Sequence, residues 1–342
     1  MNTIAKRFLA PLLFAASAAL GAFAASGGSH WVADYDKAVE QARLEKKDLL
    51  VDFTGSDWCG WCIRLNDEVF STQAFHERAT KDYVLVALDF PRDAAIKAKV
   101  PNPARNEELQ EKHAIEGFPT ILLMTADGEV YGRTGYRPGG PEAYLAHMDQ
   151  LRTSGRDALP RVAALERELA GLADDAARLA HCTRALTELE GPAKDNPAVA
   201  SRLAPLVRPA LSLDAANAQG LKLRATKSLL GASLYDAELH AAARSLDASN
   251  KAGLLEHAVV LQLESIRERA DAEAFMASMQ ELSAAGPILD AERAVALYSN
   301  AALLSEKLEL ERSVQRDYAK KALALKPSSP QLVERLEAIA AD

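Results

Sequence analysis

Leu49-Leu50-Val51-Asp52-Phe53-Thr54-Gly55-Ser56-Asp57-Trp58-Cys59-Gly60-Trp61-Cys62 is the stretch on which the fold turns. Leu49 to Phe53 is a short apolar run of strand length, and Gly55-Ser56-Asp57 is turn chemistry. From Cys62 to Phe75 the residues Leu65, Val69 and Phe70 recur at helical spacing, which predicts one helix with one buried face. A strand, a loop and a helix thus carry a Cys-x-x-Cys pair at their junction. That pair alone is a weak signal, because several chemistries use it. Covalent haem requires His at position 63, where Ile63 stands. A zinc site requires two more ligands, and His181 and Cys182 lie far down the chain. A structural disulfide stays open, although a Gly-containing loop flanked by Trp58 and Trp61 is a poor place for a staple.

Outward from this stretch, strand and helix signals alternate. Trp31 to Lys46 has helical spacing through Ala38 and Ala42. Tyr83 to Phe90 is a second strand, apolar throughout as in the centre of a sheet. Pro91 to Arg105, with three prolines and several bases, reads as an exposed insertion, and Glu107 to Ile115 as a short helix. Thr120–Met124 and Glu129–Arg133 flank Asp127-Gly128, the signal of a tight antiparallel hairpin, and Pro141 to Leu151 closes the unit as a helix. After the leading helix the order is β-α-β-α-β-β-α, which implies an α/β fold with a mixed sheet flanked by helices.

Val51-Asp52-Phe53, then Trp58-Cys59-Gly60-Trp61-Cys62, then Gly117-Phe118-Pro119-Thr120 and the Asp127-Gly128 hairpin resemble the thioredoxin-fold oxidoreductases in type and order. The nearest likeness is to exported thioredoxin-like proteins with a Gly-Ser-Asp-Trp-Cys-Gly-Trp-Cys loop and a proline-containing insertion, over residues 31 to 154. The resemblance implies a thioredoxin-like domain at 25–156. In it Cys59 is the nucleophile, Cys62 the resolving thiol, Pro119 a cis-proline facing the substrate backbone, and Asp52 the candidate proton acceptor. A free thiol has a pKa of about 8.5, and the N-terminus of a helix can lower it to about 3.5–7.5 in such pairs. Trp58, Trp61 and Phe118 are expected to face substrate, with packing against the fold the alternative for Trp58. The implied cycle uses a redox-active disulfide with no metal and no organic cofactor. It needs protein thiol or disulfide substrates and a redox partner to reset the pair. Two departures stand out. Asp52 lies seven residues before Cys59, one more than the family's usual spacing, and the strand 83–90 lacks the base that often accompanies that acid. Asp57 is expected to be solvated. Whether the protein is an oxidant, a reductant or an isomerase is open at this level.

The rest of the 342-residue chain differs in composition. All three tryptophans lie at or before position 61, and from 160 onward only Tyr235, Phe275, Tyr298 and Tyr318 are aromatic. Ala, Leu, Glu and Arg dominate there, which predicts an all-α domain at 160–342, with the boundary at Pro160 after the turn-prone Thr153-Ser154-Gly155. Ser212-Leu213-Asp214-Ala215-Ala216-Asn217 recurs as Ser245-Leu246-Asp247-Ala248-Ser249-Asn250, with degenerate later copies at Leu289-Asp290 and Ala322–Pro327. This half weakly resembles tetratricopeptide-like helical repeats, which implies an array that binds a partner protein. The competing view is an interaction scaffold whose thioredoxin-like domain is a redox sensor or inactive. Cys182, with Leu179, Leu186 and Leu189, reads as a small buried hydrophobe, or alternatively as a third redox thiol. His76 and His113 read as ordinary histidines.

Forty Lys+Arg against forty-eight Asp+Glu, a formal charge of −8, argues against a binder of nucleic-acid phosphates. Lys6 and Arg7, the apolar run Phe8 to Leu20, and Ala22-Phe23-Ala24 read as a secretory signal peptide over 1–24 with cleavage expected near Ala24, the alternative being a retained membrane anchor. Its removal would leave a charge of −10 and place a soluble protein in the periplasm or outside the cell, with no later segment apolar for long enough to span a membrane.

Overall fold

The computed structural model describes residues 30–191 and 193–341, so the expected signal peptide at 1–24 lies outside the described residues. Five strands form one sheet: β1 (Trp31–Val32), β2 (Asp48–Thr54), β3 (Tyr83–Asp89), β4 (Thr120–Met124) and β5 (Val130–Thr134), in the order β1-β3-β2-β4-β5. β3 runs parallel to both β1 and β2, while β4 runs antiparallel to β2 and β5. The sheet is therefore mixed, as the element order implies. β2 is buried along its whole length because helices cover both faces, which is why it reads as an unbroken apolar run.

The two faces separate by the alternation of strand side chains. Leu50, Leu85, Ile121 and Leu123 join one core with Leu65, Val69, Phe70 and Phe75 and with Tyr144 and Met148. These last six come from α2 (Gly60–Leu65), the π turn Asn66–Phe70 that continues it, α3 (Gln73–Asp82) and α6 (Gly140–Arg156). Leu49, Val51, Phe53, Val84 and Val86 face the other way, onto Ala38 and Ala42 of α1 (Tyr35–Glu45) and Leu109 of α5 (Pro103–Lys112).

Several boundaries differ from the sequence expectation. The leading helix begins at Tyr35, after Asp34 caps it, because Trp31 and Val32 pair with β3 at the sheet edge. The helix expected from Cys62 to Phe75 is broken at Ser71-Thr72, where the Thr72 hydroxyl accepts the Phe75 amide and starts α3. The insertion is not wholly irregular, since it holds α4 (Ala94–Lys97) and the first turn of α5, which ends at Lys112 rather than Ile115. The turn-prone Thr153-Ser154-Gly155 is helical, inside α6. Gly155 serves closeness rather than turning, since a Cβ there would collide with the carbonyl of Tyr131 on β5.

The second half is helical: α7 (Leu159–Leu169), α8 (Asp175–Glu190), α9 (Pro197–Val207), α10 (Ala210–Leu213), α11 (Leu221–Gly231), α12 (Ala237–Leu246), α13 (Leu254–Glu264), α14 (Arg269–Ala285), α15 (Ala291–Lys307), α16 (Arg312–Ala324) and α17 (Pro330–Ala340). Pro160 sits in the first turn of α7, where a missing N–H costs nothing. The two clear sequence copies fold alike. Asp214 accepts the Leu221 amide at 2.8 Å, and Asp247 the Leu254 amide at 2.9 Å, each seven residues on. Asn217 and Asn250 both adopt positive φ and accept the amides of Leu223 and Glu256. The degenerate copy at Leu289-Asp290 differs, because Asp290 caps α15 directly. Cys182 is a free, buried thiol in the core of α8 with Leu186 and Leu189, and its burial pushes the pKa up. Such a thiol is a poor nucleophile.

Asn196 joins the halves. Its amide donates to the carbonyls of Tyr131 (2.9 Å) and Leu151 (3.2 Å), while its oxygen caps α9. No helix among the described residues is long and apolar enough to cross a membrane.

Candidate active site

Cys59 is the N-cap of α2, in extended backbone, with its Sγ accepting the Cys62 amide at 3.2 Å. The same two residues form a disulfide, with their Cα atoms 5.2 Å apart. Both sulfurs belong to nearly buried residues, while Gly60 and Trp61 lie exposed above them. On opening of the disulfide, the Cys62 amide and the free N–H groups of the helix end point where negative charge on Cys59 would form. That arrangement follows from the sequence, because a strand ending at Thr54 and a tight turn deliver Cys59 to the first helical turn.

The turn is held from several sides. The Gly55 carbonyl accepts the amides of Trp58 (3.3 Å) and Cys59 (2.9 Å). A Cβ at Gly55 would sit 2.5 Å from the Trp58 indole, so the close approach requires glycine. Ser56 donates to Asp89 through its amide (2.9 Å) and its hydroxyl (2.6 Å). Asp57 accepts the amides of Arg92 (3.0 Å) and Asp93 (2.6 Å). Against a desolvation that works the other way, those two amides and the Arg92 charge hold its carboxyl below the ordinary range. Asp57 thus stitches the loop to the insertion rather than standing free in solvent. The start of the insertion is the outer wall of the site.

The residues expected to face substrate divide. Trp61 is 55% exposed and lies 4.9 Å from Tyr136, with the Arg64 guanidinium over both rings. Trp58 is instead half-buried: its indole N–H donates to the Phe90 carbonyl at 2.8 Å, Arg92 stacks on it at 4.0 Å, and Phe118 meets it edge-on at 5.6 Å. Of the two readings of Trp58, these contacts are those of packing, with its polar atom pointing into the fold. Phe118 is also half-buried, between Trp58 and Phe90. The Phe118–Pro119 peptide is cis. A Cβ at Gly135 would come within 3.0 Å of the Pro119 carbonyl, so the loop after β5 packs closely on this turn.

Asp52 lies on β2, on the face that carries α2, sharing it with Leu50 and its cross-strand partner Ile121. It is buried, and its Oδ1 has no hydrogen-bond partner. Burial first, and the charge of Asp89 second, push its pKa up to about 8. The contrast with Asp48 on the same face is instructive. Asp48, likewise buried, receives the Tyr131 hydroxyl at 2.7 Å and pairs with Arg156. Asp48 is a structural acid, whereas Asp52 is an uncompensated one, the condition expected of a proton-transfer group. Asp52 thus lies on the sheet face that α2 and α6 cover, and its charge acts on Tyr144 of α6. Burial also lowers the pKa of His113 to about 4, and that of His76, which stacks on His30 at 4.6 Å. Among the described residues no three His, Cys, Asp or Glu side chains converge as a metal site requires.

Asp89, Ser56 and Tyr136 belong to this site but were not singled out by sequence. Asp89 ends an apolar strand, the one signal that marks it, and the other two depend on long-range packing.

A family model described as a thioredoxin-like domain matches residues 35–152. The disulfide bond reductase DsbH of Chlamydia pneumoniae is 34% identical over 116 residues, covering 33% of this chain and 68% of that protein. The thioredoxin-related protein DsbJ of the same organism is 27% identical over 129 residues, covering 35% of this chain and 36% of that protein. A solved structure described as DsbH oxidoreductase aligns at 30% identity, over 35% of this chain and 82% of that chain, with a TM-score of 0.32. A cysteine pair at a helix N-cap, a cis-proline turn and a relative matched over two thirds of its length agree, and the chain belongs to the thioredoxin-like family of thiol–disulfide oxidoreductases.

Proposed function

We propose that this protein is an exported disulfide reductase that acts on protein disulfides through Cys59 and Cys62. The observation that carries the reading is Cys59 at the N-cap of α2 with the Cys62 amide on its Sγ, one helical turn from its disulfide partner. In the reduced protein the Cys59 thiolate attacks a substrate disulfide. A Cys59–substrate bond forms and the first substrate sulfur leaves as a thiolate. Cys62 then gives its proton to the Asp52 carboxylate and attacks Cys59 Sγ. The Cys59–Cys62 bond forms, and the second substrate thiolate leaves. Two electrons have passed to substrate, and a dithiol partner must return them. Pro119 offers the backbone beside which an extended substrate segment pairs, and Trp61 with Tyr136 forms the exposed aromatic rim. The cycle calls for no further cofactor.

The reducing direction is supported by the name of the DsbH relative. Export is supported by the basic, apolar and small-residue segments of 1–24, which would deliver a redox domain at 25–156 and a helical domain at 160–342 to a compartment where disulfides form. The repeated Asp-Asn loops support a stacked helical array, tetratricopeptide-like in period, that docks a partner protein. A Cys62→Ala variant tests the whole: it should accumulate mixed disulfides on Cys59 that dithiothreitol releases, and a Cys59→Ala, Cys62→Ala control should capture none. Equal capture by both would end the reading.

A further inference from the structure

Asp89, which clamps the loop through Ser56, is also a neighbour of a buried acid whose Oδ1 lacks a partner. In the parallel register, Asp52 faces Ala87 and Thr54 faces Asp89, so Asp89 is the diagonal neighbour of Asp52 on the same face. Asp89 is itself 9% exposed, and the Ser56 amide and hydroxyl both donate to it. Asp52 receives no donor at Oδ1. Other titratable groups on that face are Asp48, Tyr83 and Tyr131 toward the far end of the strands, Cys62 on α2 with Cys59 at its N-cap, Tyr144 on α6, and Arg137, which acts on Tyr144. Lys99, exposed, lines a cavity with Trp31, Thr54, Ser56, Ile96 and Asp89. On the strand next to Asp52, the acid that acts on it is one that repels its charge.

We propose that Asp89 is a positioning residue for proton transfer: its tethered carboxylate keeps Asp52 protonated while the disulfide is closed, so that Asp52 can supply a proton when the disulfide opens. In the recycling step a thiolate of the reducing partner attacks Cys59 Sγ. A bond to the partner's sulfur forms, the Cys59–Cys62 bond breaks, and Cys62 leaves as a thiolate that takes the Asp52 proton. The resulting carboxylate is the base that the forward reaction requires. A group whose pKa lies near those of the thiols it serves suits both directions. Asp89 is an acid on the strand that lacks the base named in the resemblance, and its charge raises the Asp52 pKa rather than lowering it. The role rests on the exchange chemistry proposed above.

The test is a carbon-13 titration of the Asp52 carboxyl in the full-length oxidised protein, with Asp89→Asn and Ser56→Ala compared. Asparagine keeps the shape and can still accept the Ser56 amide. The midpoint of Asp52 should fall by about one pH unit in Asp89→Asn, the scale of a nearby like charge at a buried site. It should move by no more than a few tenths of a unit in Ser56→Ala, which retains the charge and loses only the hydroxyl. The rate of disulfide opening by dithiothreitol should show the same displacement of its pH profile. An unmoved midpoint in Asp89→Asn, or an equal shift in Ser56→Ala, overturns the proposal. Because the titration requires no protein substrate, its outcome is separate from whether the protein turns over disulfides at all.

Discussion

Asp52→Asn should change how stability depends on pH, and the change can be worked from the structure. In the folded, disulfide-bonded protein Asp52 has a pKa of about 8, through burial and then Asp89, whereas an unfolded aspartate titrates near about 3.9. Between those values the folded state holds a proton that the unfolded state has released. Stability is therefore fully present below about pH 4 and declines as pH rises toward 8, where the folded carboxyl also ionises. The slope approaches about 1.4 kcal/mol per pH unit, so the wild type loses about 4 kcal/mol by pH 7 on this account alone. The asparagine of the variant cannot titrate. Its buried amide adds a constant offset of about 1–3 kcal/mol, which does not alter the slope. The assay is urea unfolding of the oxidised proteins at intervals from pH 5 to 8, followed by tryptophan fluorescence. Trp31, Trp58 and Trp61 all lie in the sheet-bearing half, so the signal reports that half. The stability difference, variant minus wild type, should rise steadily from pH 5 toward pH 8, moving in the variant's favour by about 3–4 kcal/mol over that range. Parallel curves across that range would refute the assignment of Asp52 as a buried, protonated acid.

Three further outcomes are expected. Gly155→Ala places a methyl against the Tyr131 carbonyl and should destabilise by about 3 kcal/mol, although the same change in an open helix would gain about 1; thermal unfolding gives the sign. Asn196→Ala removes the cap of α9 and the bonds to Tyr131 and Leu151, a loss of about 2–4 kcal/mol, and should open the seam between the halves to limited proteolysis. A digestion pattern identical to wild type would show that the seam does not depend on it. Trp61→Ala should lower kcat/KM for a protein disulfide by about tenfold while leaving reduction of a small disulfide and the redox potential unchanged, because the ring is exposed beside the sulfurs and supports little of the core.

How far the sequence could be read depended on whether the deciding interaction was local. β2 and β3 were readable because burial on both faces leaves an apolar run, and the cysteine pair because its turn and helix follow directly. Trp31 and Val32 could not be, since a two-residue edge strand has no period to detect and exists only through β3. The break at Ser71-Thr72 was hidden by Leu65, Val69, Phe70 and Phe75, which keep one apolar face across it; Thr72, a good N-cap residue, was the signal overlooked. At Thr153-Ser154-Gly155 the turn composition misled, because Gly155 answers to a strand carbonyl that is distant in sequence. In the site, Trp58 showed as an aromatic beside the nucleophile, but its inward direction depends on Phe90 and Arg92. Asp89 carries no local signal of its relation to Asp52, because that relation exists only in the register of two strands. In the helical half, by contrast, the recurring Asp and Asn showed the repeated loops, since each bonds to amides only five to eight residues away.

The central claim is that Cys59 is the sulfur that exchanges with substrate. Its most direct measurement is the rate at which the purified protein reduces insulin disulfides with dithiothreitol as electron source, set against Cys59→Ala under the same conditions. The wild type should accelerate the reaction well above dithiothreitol alone, and Cys59→Ala should return it to that background. Equal rates in the two proteins would contradict the account.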